Sequence, residues 1–248
     1  MGGFWWNTLD IFVVLYRIGN LSGLLRELRT ATTMFTDSFE EVRRSNRERP
    51  YVKTAIFMQG FFLNAVFYKR FVEFFEASDI RLVCPLKLAR NVVSYTQARG
   101  ILSDAIKEVE DRFSDVPDLI GHSKGGTDIS GVLGWHKEIQ NVYLIAAPFR
   151  GASLNALTTF MKLIHHKPGY AVDYDVLRDK SILKKITTIV TPADRIVPSH
   201  EAMLPGARKK IVIDRHKDNE SVWNSHTGLP YYARETLLDL MLQSQKAA

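Results

Sequence analysis

The residues best equipped to do chemistry are a serine, an aspartate and a histidine far apart in the chain. Ser123 sits in Gly121-His122-Ser123-Lys124-Gly125, which fits the pattern G-x-S-x-G. The segment Asp118-Leu119-Ile120 before it reads as the end of a buried strand, and Gly125 to Ser130 reads as the start of a helix. On a sharp strand-to-helix turn a serine Oγ is held exposed at the top of a sheet, and glycines remove Cβ atoms that would collide there. The bare pentapeptide is weak evidence, because an ordinary turn can contain it by chance. A serine hydroxyl also needs a base within hydrogen-bond reach and a third group to orient that base. Asp194 follows the run Ile186 to Thr191, and His226 lies in Ser225-His226-Thr227-Gly228-Leu229, ahead of a final helical stretch. Taken singly, Asp194 reads as an Asx-turn or helix cap and His226 as a surface histidine. Each, however, follows a predicted strand, in the order Ser, Asp, His, so a nucleophile, an orienting acid and a base would share one end of a sheet.

The elements that must position these residues are legible as alternation. Strands are predicted at Lys53 to Met58, Ile80 to Cys84, Asp118 to Ile120, Val142 to Ala147, Ile186 to Thr191 and Lys210 to Ile213. Helices are predicted at Tyr68 to Ala77, Tyr95 to Phe113, from Asp128 to Leu133, and at Tyr232 to Leu242. The longest carries Ala98, Ile101, Leu102, Ala105, Ile106, Val109 and Phe113 on one face, the spacing of an amphipathic helix. Near-continuous apolar strands between helices predict an α/β fold, a mostly parallel sheet covered on both faces. In such sheets function gathers at the C-terminal strand ends.

At this point the chain resembles the α/β-hydrolase superfamily, and within it the compact bacterial lipases and esterases. The likeness spans about residues 52 to 245. It rests on Gly121 to Gly126, on Ala147-Pro148-Phe149-Arg150-Gly151-Ala152, on Asp194-Arg195-Ile196-Val197-Pro198, and on Ser225 to Leu229. The resemblance implies a serine hydrolase acting on carboxylic esters through Ser123, Asp194 and His226 and an acyl-enzyme, with no cofactor. It also implies an oxyanion hole made by the backbone N–H groups of Lys124 and Phe61. Gln59 stands where the family usually has histidine, and Lys124 replaces the common methionine or glutamine. A cation at a helix N-terminus opposes the macrodipole, so the Lys124 side chain is expected to extend away; attraction to an anionic substrate or the oxyanion is the weaker reading. Asp128 resembles a structural position. Asp214 and Asp218 are substitutes for Asp194 that look like solvated loop. The pair His165-His166 and His200 offer no recognisable metal-ligand spacing and are expected at the surface or a pocket rim.

Composition sets outer limits. The chain has 248 residues with 46% hydrophobic and 24% charged, ordinary values that suit one globular domain and name no function. The net charge of +6 is scattered apart from Arg43 to Arg49, and no zinc-finger or RNP-type pattern accompanies it, so nucleic acid is not expected as a partner. Cys84 is the only cysteine, which excludes an intrachain disulfide, and it is expected to be an inert core thiol. Residues 1–50 read as an N-terminal helical extension with a basic linker, and residues 51–248 as the catalytic domain. The apolar stretch near Phe4 to Tyr16 is broken by Asp10 and followed by Arg17, too short to span a bilayer and unlike a secretory signal. Trp6 stands where myristoylation calls for Ser or Thr. Leu21, Leu24, Leu25 and Leu28 form an apolar helical face. A helix packed on the domain or on a second subunit is the first expectation for it, and an interfacial membrane anchor the second. The location expected on these grounds is cytoplasmic, with peripheral membrane contact as the further option.

Substrate is less legible. Phe61, Phe62 and Phe67 follow the first strand and are candidates for an acyl pocket, although core packing would use the same residues. Between Gly151 and Leu183 an apolar segment reads as a packing helix or a short cap. An ester of short-to-medium acyl chain is the first expectation. A phospholipase or other membrane-lipid acylhydrolase comes next, then an acyltransferase with the same three residues, then a non-catalytic binding protein of the same fold.

Overall fold

The computed structural model describes residues 51–61, 68–85, 91, 93–149, 172–194, 196–214 and 226–246. Their elements run β1 (Lys53–Met58), α1 (Lys69–Ala77), β2 (Ile80–Val83), α2 (Tyr95–Phe113), β3 (Asp118–His122) and α3 (Lys124–Ser130). They continue with β4 (Val142–Ile145), a 3-10 turn at Val176–Arg178, α4 (Lys180–Leu183), β5 (Ile186–Val190), α5 (Ser199–Ala202), β6 (Lys209–Val212) and α6 (Leu229–Lys246). The expected N-terminal extension lies outside the described residues, as do residues 151–171 of the segment expected to be a packing helix or short cap. Among the described residues no helix is long and apolar enough to cross a membrane.

The six described strands form one sheet in the order β2-β1-β3-β4-β5-β6, with every neighbouring pair parallel. From β1 the chain steps outward to β2, then returns past β1 to lay down β3 to β6 on the other side. The order therefore reverses between β1 and β3, and the crevice beyond their C-terminal ends is where open α/β sheets bind ligands.

Alternation along the strands splits the core into two layers. Ile56, Met58, Leu119, Val142 and Leu144 face one side and pack with Ala98, Leu102, Ile106 and Val109 of α2. Ala55, Phe57, Ile120, Tyr143 and Ile145 face the other and pack with Phe71 and Phe75 of α1 and Ala233, Leu237 and Met241 of α6. The long helix starts where the sequence predicts because Ser94 and Gln97 form a capping box, and it stops at Ser114, which adopts a left-handed conformation. Among the described strands β6 is an edge, with Lys209, Lys210 and Val212 exposed, and its two lysines discourage pairing with another chain. Cys84 lies just past β2 and is half-buried, and its surroundings push the thiol up to about 12, so it stays protonated.

At the opposite, N-terminal end of the sheet, Asp118 is buried between Lys53 Nζ (3.0 Å) and Asn141 Nδ2 (3.0 Å). Burial outweighs the attraction of Lys53 and raises the Asp118 carboxyl to about 6. Because the folded value lies above that of the unfolded chain, Asp118 favours folding below about pH 4 and loses that contribution as pH rises through about 6. Asp118→Asn should therefore gain stability relative to the parent between pH 4 and 7, by on the order of 2–3 kcal/mol. Paired thermal melts across that range check the sign, and a variant that loses ground with rising pH would contradict it.

Candidate active site

β3 runs two residues further than its apolar residues suggest, and the Ser123 turn forms at its end. Gly121 and His122 still pair with Leu144 and Ile145 of β4, and Ser123 N–H donates to the Ile145 carbonyl at 2.9 Å. The chain then reverses abruptly: α3 begins at Lys124, one residue on, and Gly126 N–H returns to the Ser123 carbonyl at 3.0 Å. Ser123 takes φ 53° and ψ −124°, a conformation that costs a non-glycine residue about 1–3 kcal/mol and concentrates at functional sites. Glycine is required just past the bend. A Cβ at Gly125 would run into the Met58 and Gln59 carbonyls at the end of β1, and one at Gly126 would lie 2.5 Å from Ala147 Cβ. The helix expected over Asp128 to Leu133 thus lies earlier, from Lys124 to Ser130.

The switch-point crevice brings the β1 loop to the same place. A Cβ on Gly60 would lie 3.3 Å from Ser123 Cβ, so the Gln59-Gly60-Phe61 backbone passes directly beside the serine. Lys124 is the first residue of α3, and its N–H is one of the donors a helix leaves without an intrahelical acceptor. Phe62 and Phe67 lie outside the described residues.

Asp194, in the loop after β5, uses both carboxylate oxygens. Oδ1 accepts from the N–H groups of Ile196 (2.9 Å) and Val197 (2.8 Å), the Asx-turn its sequence position suggests. Oδ2 lies 2.7 Å from His226 Nδ1. A carboxylate accepts, so His226 donates from Nδ1 and presents Nε2 with its lone pair. His226 in turn is held against the residue before Ser123, with its carbonyl oxygen 2.9 Å from His122 Nε2 and the two rings 4.8 Å apart. All three side chains are nearly buried.

No family model and no curated protein matches the chain, but solved structures do. The esterase domain of a Rhodothermus marinus protein is 16% identical, with a TM-score of 0.53 over 76% of this chain and 89% of its own. Est1E from Butyrivibrio proteoclasticus is 12% identical, with a TM-score of 0.51 over 82% and 92%. The Bacillus licheniformis lipase BlEst2 is 15% identical, with a TM-score of 0.53 over 77% and 94%. The chain has the α/β-hydrolase fold.

Within this α/β-hydrolase fold the Lys124 side chain departs from expectation. It does not extend away but is fully buried behind the turn. Its Nζ donates to Asp128 Oδ2 (2.8 Å), Asp128 Oδ1 (3.1 Å) and Asn91 Oδ1 (3.0 Å), so the three ammonium protons meet acceptors on all sides. Asn91 Nδ2 also donates to Asp128 Oδ2 (3.1 Å) and to the Gln59 carbonyl (2.7 Å). The buried ion pair therefore ties the first turn of α3 to the β1 loop. Burial pushes the Asp128 carboxyl up, and Lys124 and Asn91 pull it back. The signal was present in the sequence as an i, i+4 pair of opposite charge. No local signal marks Asn91, 33 residues away. With its cation committed here, Lys124 has none to offer an oxyanion.

A second Ser–His–carboxylate series shows what hydrogen bonds alone do not supply. Ser103 Oγ lies 2.8 Å from His136 Nε2, and His136 Nδ1 lies 2.8 Å from Glu138 Oε1. Ser103, however, is in the middle of α2, where backbone N–H groups are spent on carbonyls four residues back and no strained turn presents the hydroxyl. Of the other candidates, Asp214 is exposed just past β6 while Asp194 holds His226, and the His200 side chain is 79% exposed. His165, His166 and Asp218 lie outside the described residues.

Proposed function

We propose that this chain is a serine hydrolase of carboxylic esters. The observation that carries the reading is the 2.7 Å bond that His226 Nδ1 donates to Asp194 Oδ2, made at the same sheet end as a serine held at positive φ. In the proposed reaction His226 Nε2 takes the Ser123 hydroxyl proton as Oγ attacks the ester carbonyl. Asp194 holds the imidazole orientation and stabilises the imidazolium that forms. The Phe61 and Lys124 N–H groups stabilise the tetrahedral oxyanion. His226 then returns the proton to the leaving alcohol, and a water activated by His226 hydrolyses the acyl-enzyme to release the acid. The fold likeness to esterases and lipases supports ester substrates as the class, and Phe61, the residue after Gly60 in the loop that passes Ser123, suits an apolar acyl group.

Turnover of a p-nitrophenyl ester series by the purified chain tests the reading. Ser123→Ala should lose the activity by at least about 10³-fold, whereas Ser103→Ala should keep it. Retention by Ser123→Ala in a clean preparation would remove the proposal.

A further inference from the structure

For the chemistry proposed above, the loop after β1 and the loop carrying His226 must keep fixed positions on either side of Ser123. The described residues contain a continuous buried connection between them. Gly60 N–H donates to Tyr68 Oη at 3.1 Å, and Tyr68 Oη lies 2.7 Å from His122 Nδ1. On the far side of the ring, His122 Nε2 lies 2.9 Å from the His226 carbonyl oxygen.

The chemistry of the two ends sets the proton positions. A backbone carbonyl only accepts, so His122 Nε2 carries a hydrogen. His122 is fully buried, and burial together with the neighbouring His226 holds its pKa well below the ordinary value, so the ring is neutral and Nδ1 bears a lone pair. Nδ1 then accepts from the Tyr68 hydroxyl, whose own lone pair receives Gly60 N–H. Burial likewise keeps the Tyr68 phenol protonated. The series runs one way: Gly60 N–H to Tyr68, Tyr68 O–H to His122, His122 Nε2–H to the His226 carbonyl.

We propose that Tyr68 and His122 are positioning residues for the ester reaction, a one-directional hydrogen-bond relay that fixes the Gly60 loop and the His226 loop relative to Ser123. The role rests on the hydrolase reading. Both side chains are buried, and each acts through a backbone group of a loop beside Ser123. Tyr68 is suited to a clean test, because phenylalanine keeps its ring contacts with Phe57 at 4.7 Å and His122 at 5.8 Å while removing only the hydroxyl.

Two measurements on the full chain decide it. In nitrogen-15 NMR of the wild type at pH 7, His122 should be the neutral Nε2–H tautomer; an Nδ1–H tautomer would overturn the relay without reference to activity. In ester kinetics normalised to sites titrated by a fluorophosphonate, Tyr68→Phe should lower kcat about 10- to 100-fold with KM little changed, the scale of a misplaced catalytic group. His122→Gln, which keeps one donor and one acceptor, should recover more of kcat than His122→Leu. A Tyr68→Phe variant that melts lower yet retains full kcat per titrated site would reduce the relay to packing. So would equal losses in Gln and Leu variants. A wild type inert toward esters would overturn the hydrolase reading and the positioning role with it, while the tautomer would still report whether the relay exists.

Discussion

Asp128→Ala is expected to lower the stability of this fold by about 3–5 kcal/mol, among the largest losses that a single substitution outside the reacting groups can cause here. The lost Coulomb attraction is the smaller part of the reason. Lys124 is fully buried, and removing Asp128 strips its Nζ of two of its three acceptors and leaves a cation with no counter-ion in a medium that solvates it poorly. A second consequence follows from connectivity, since Asp128 also receives Asn91, which holds the Gln59 carbonyl. Replacing both charges, as Lys124→Met with Asp128→Leu, should recover a substantial part of the loss, because no unpaired charge then remains. Urea unfolding of the two single variants and the double variant checks this. A double variant as unstable as the sum of the singles would show that the pair is not coupled.

On the proposed reading, Asp194→Asn should fold normally and lose most of its ester turnover, by about 10⁴-fold, the scale seen when the orienting aspartate of a serine protease is replaced by asparagine. The geometry indicates why. The Ile196 and Val197 N–H groups both point at Oδ1, so they will hold the asparagine carbonyl oxygen there and turn its NH₂ toward His226. Facing a donor, His226 Nδ1 must accept, which moves the imidazole hydrogen to Nε2. That nitrogen can then no longer take the Ser123 proton. The loop keeps its Asx-turn, so the melting temperature should stay close to that of the wild type while kcat collapses. A variant retaining more than a tenth of wild-type kcat would assign the orienting role elsewhere.

Much of this architecture was legible because strand and helix periods differ. The near-continuous apolar run of β1 and the single apolar face of α2 are both local patterns, and both elements have the predicted bounds, Lys53–Met58 and Tyr95–Phe113. The errors fall where hydrogen bonds outlast hydrophobicity. The β3 ladder continues through Gly121 and His122, which look like turn residues in one dimension, and α3 starts as soon as Ser123 has bent the chain. Ser123, Asp194 and His226 stand out in the sequence because each follows a strand, and the structure brings Asp194 and His226 to within 2.7 Å. Lys124 was misread for a different reason. Lysine is almost never buried unless paired, and one partner, Asn91, comes from a distant segment. Tyr68 and His122 meet across 54 residues, and neither carries a local mark of that contact.

The central claim is that Ser123 is the nucleophile, and covalent trapping addresses it most directly. The full chain should be treated with a fluorophosphonate and its peptides mapped by mass spectrometry. A single phosphonyl adduct is expected on the peptide containing Ser123, absent from Ser123→Ala and undiminished in Ser103→Ala. An adduct on Ser103, or equal labelling of Ser123→Ala, would contradict the account.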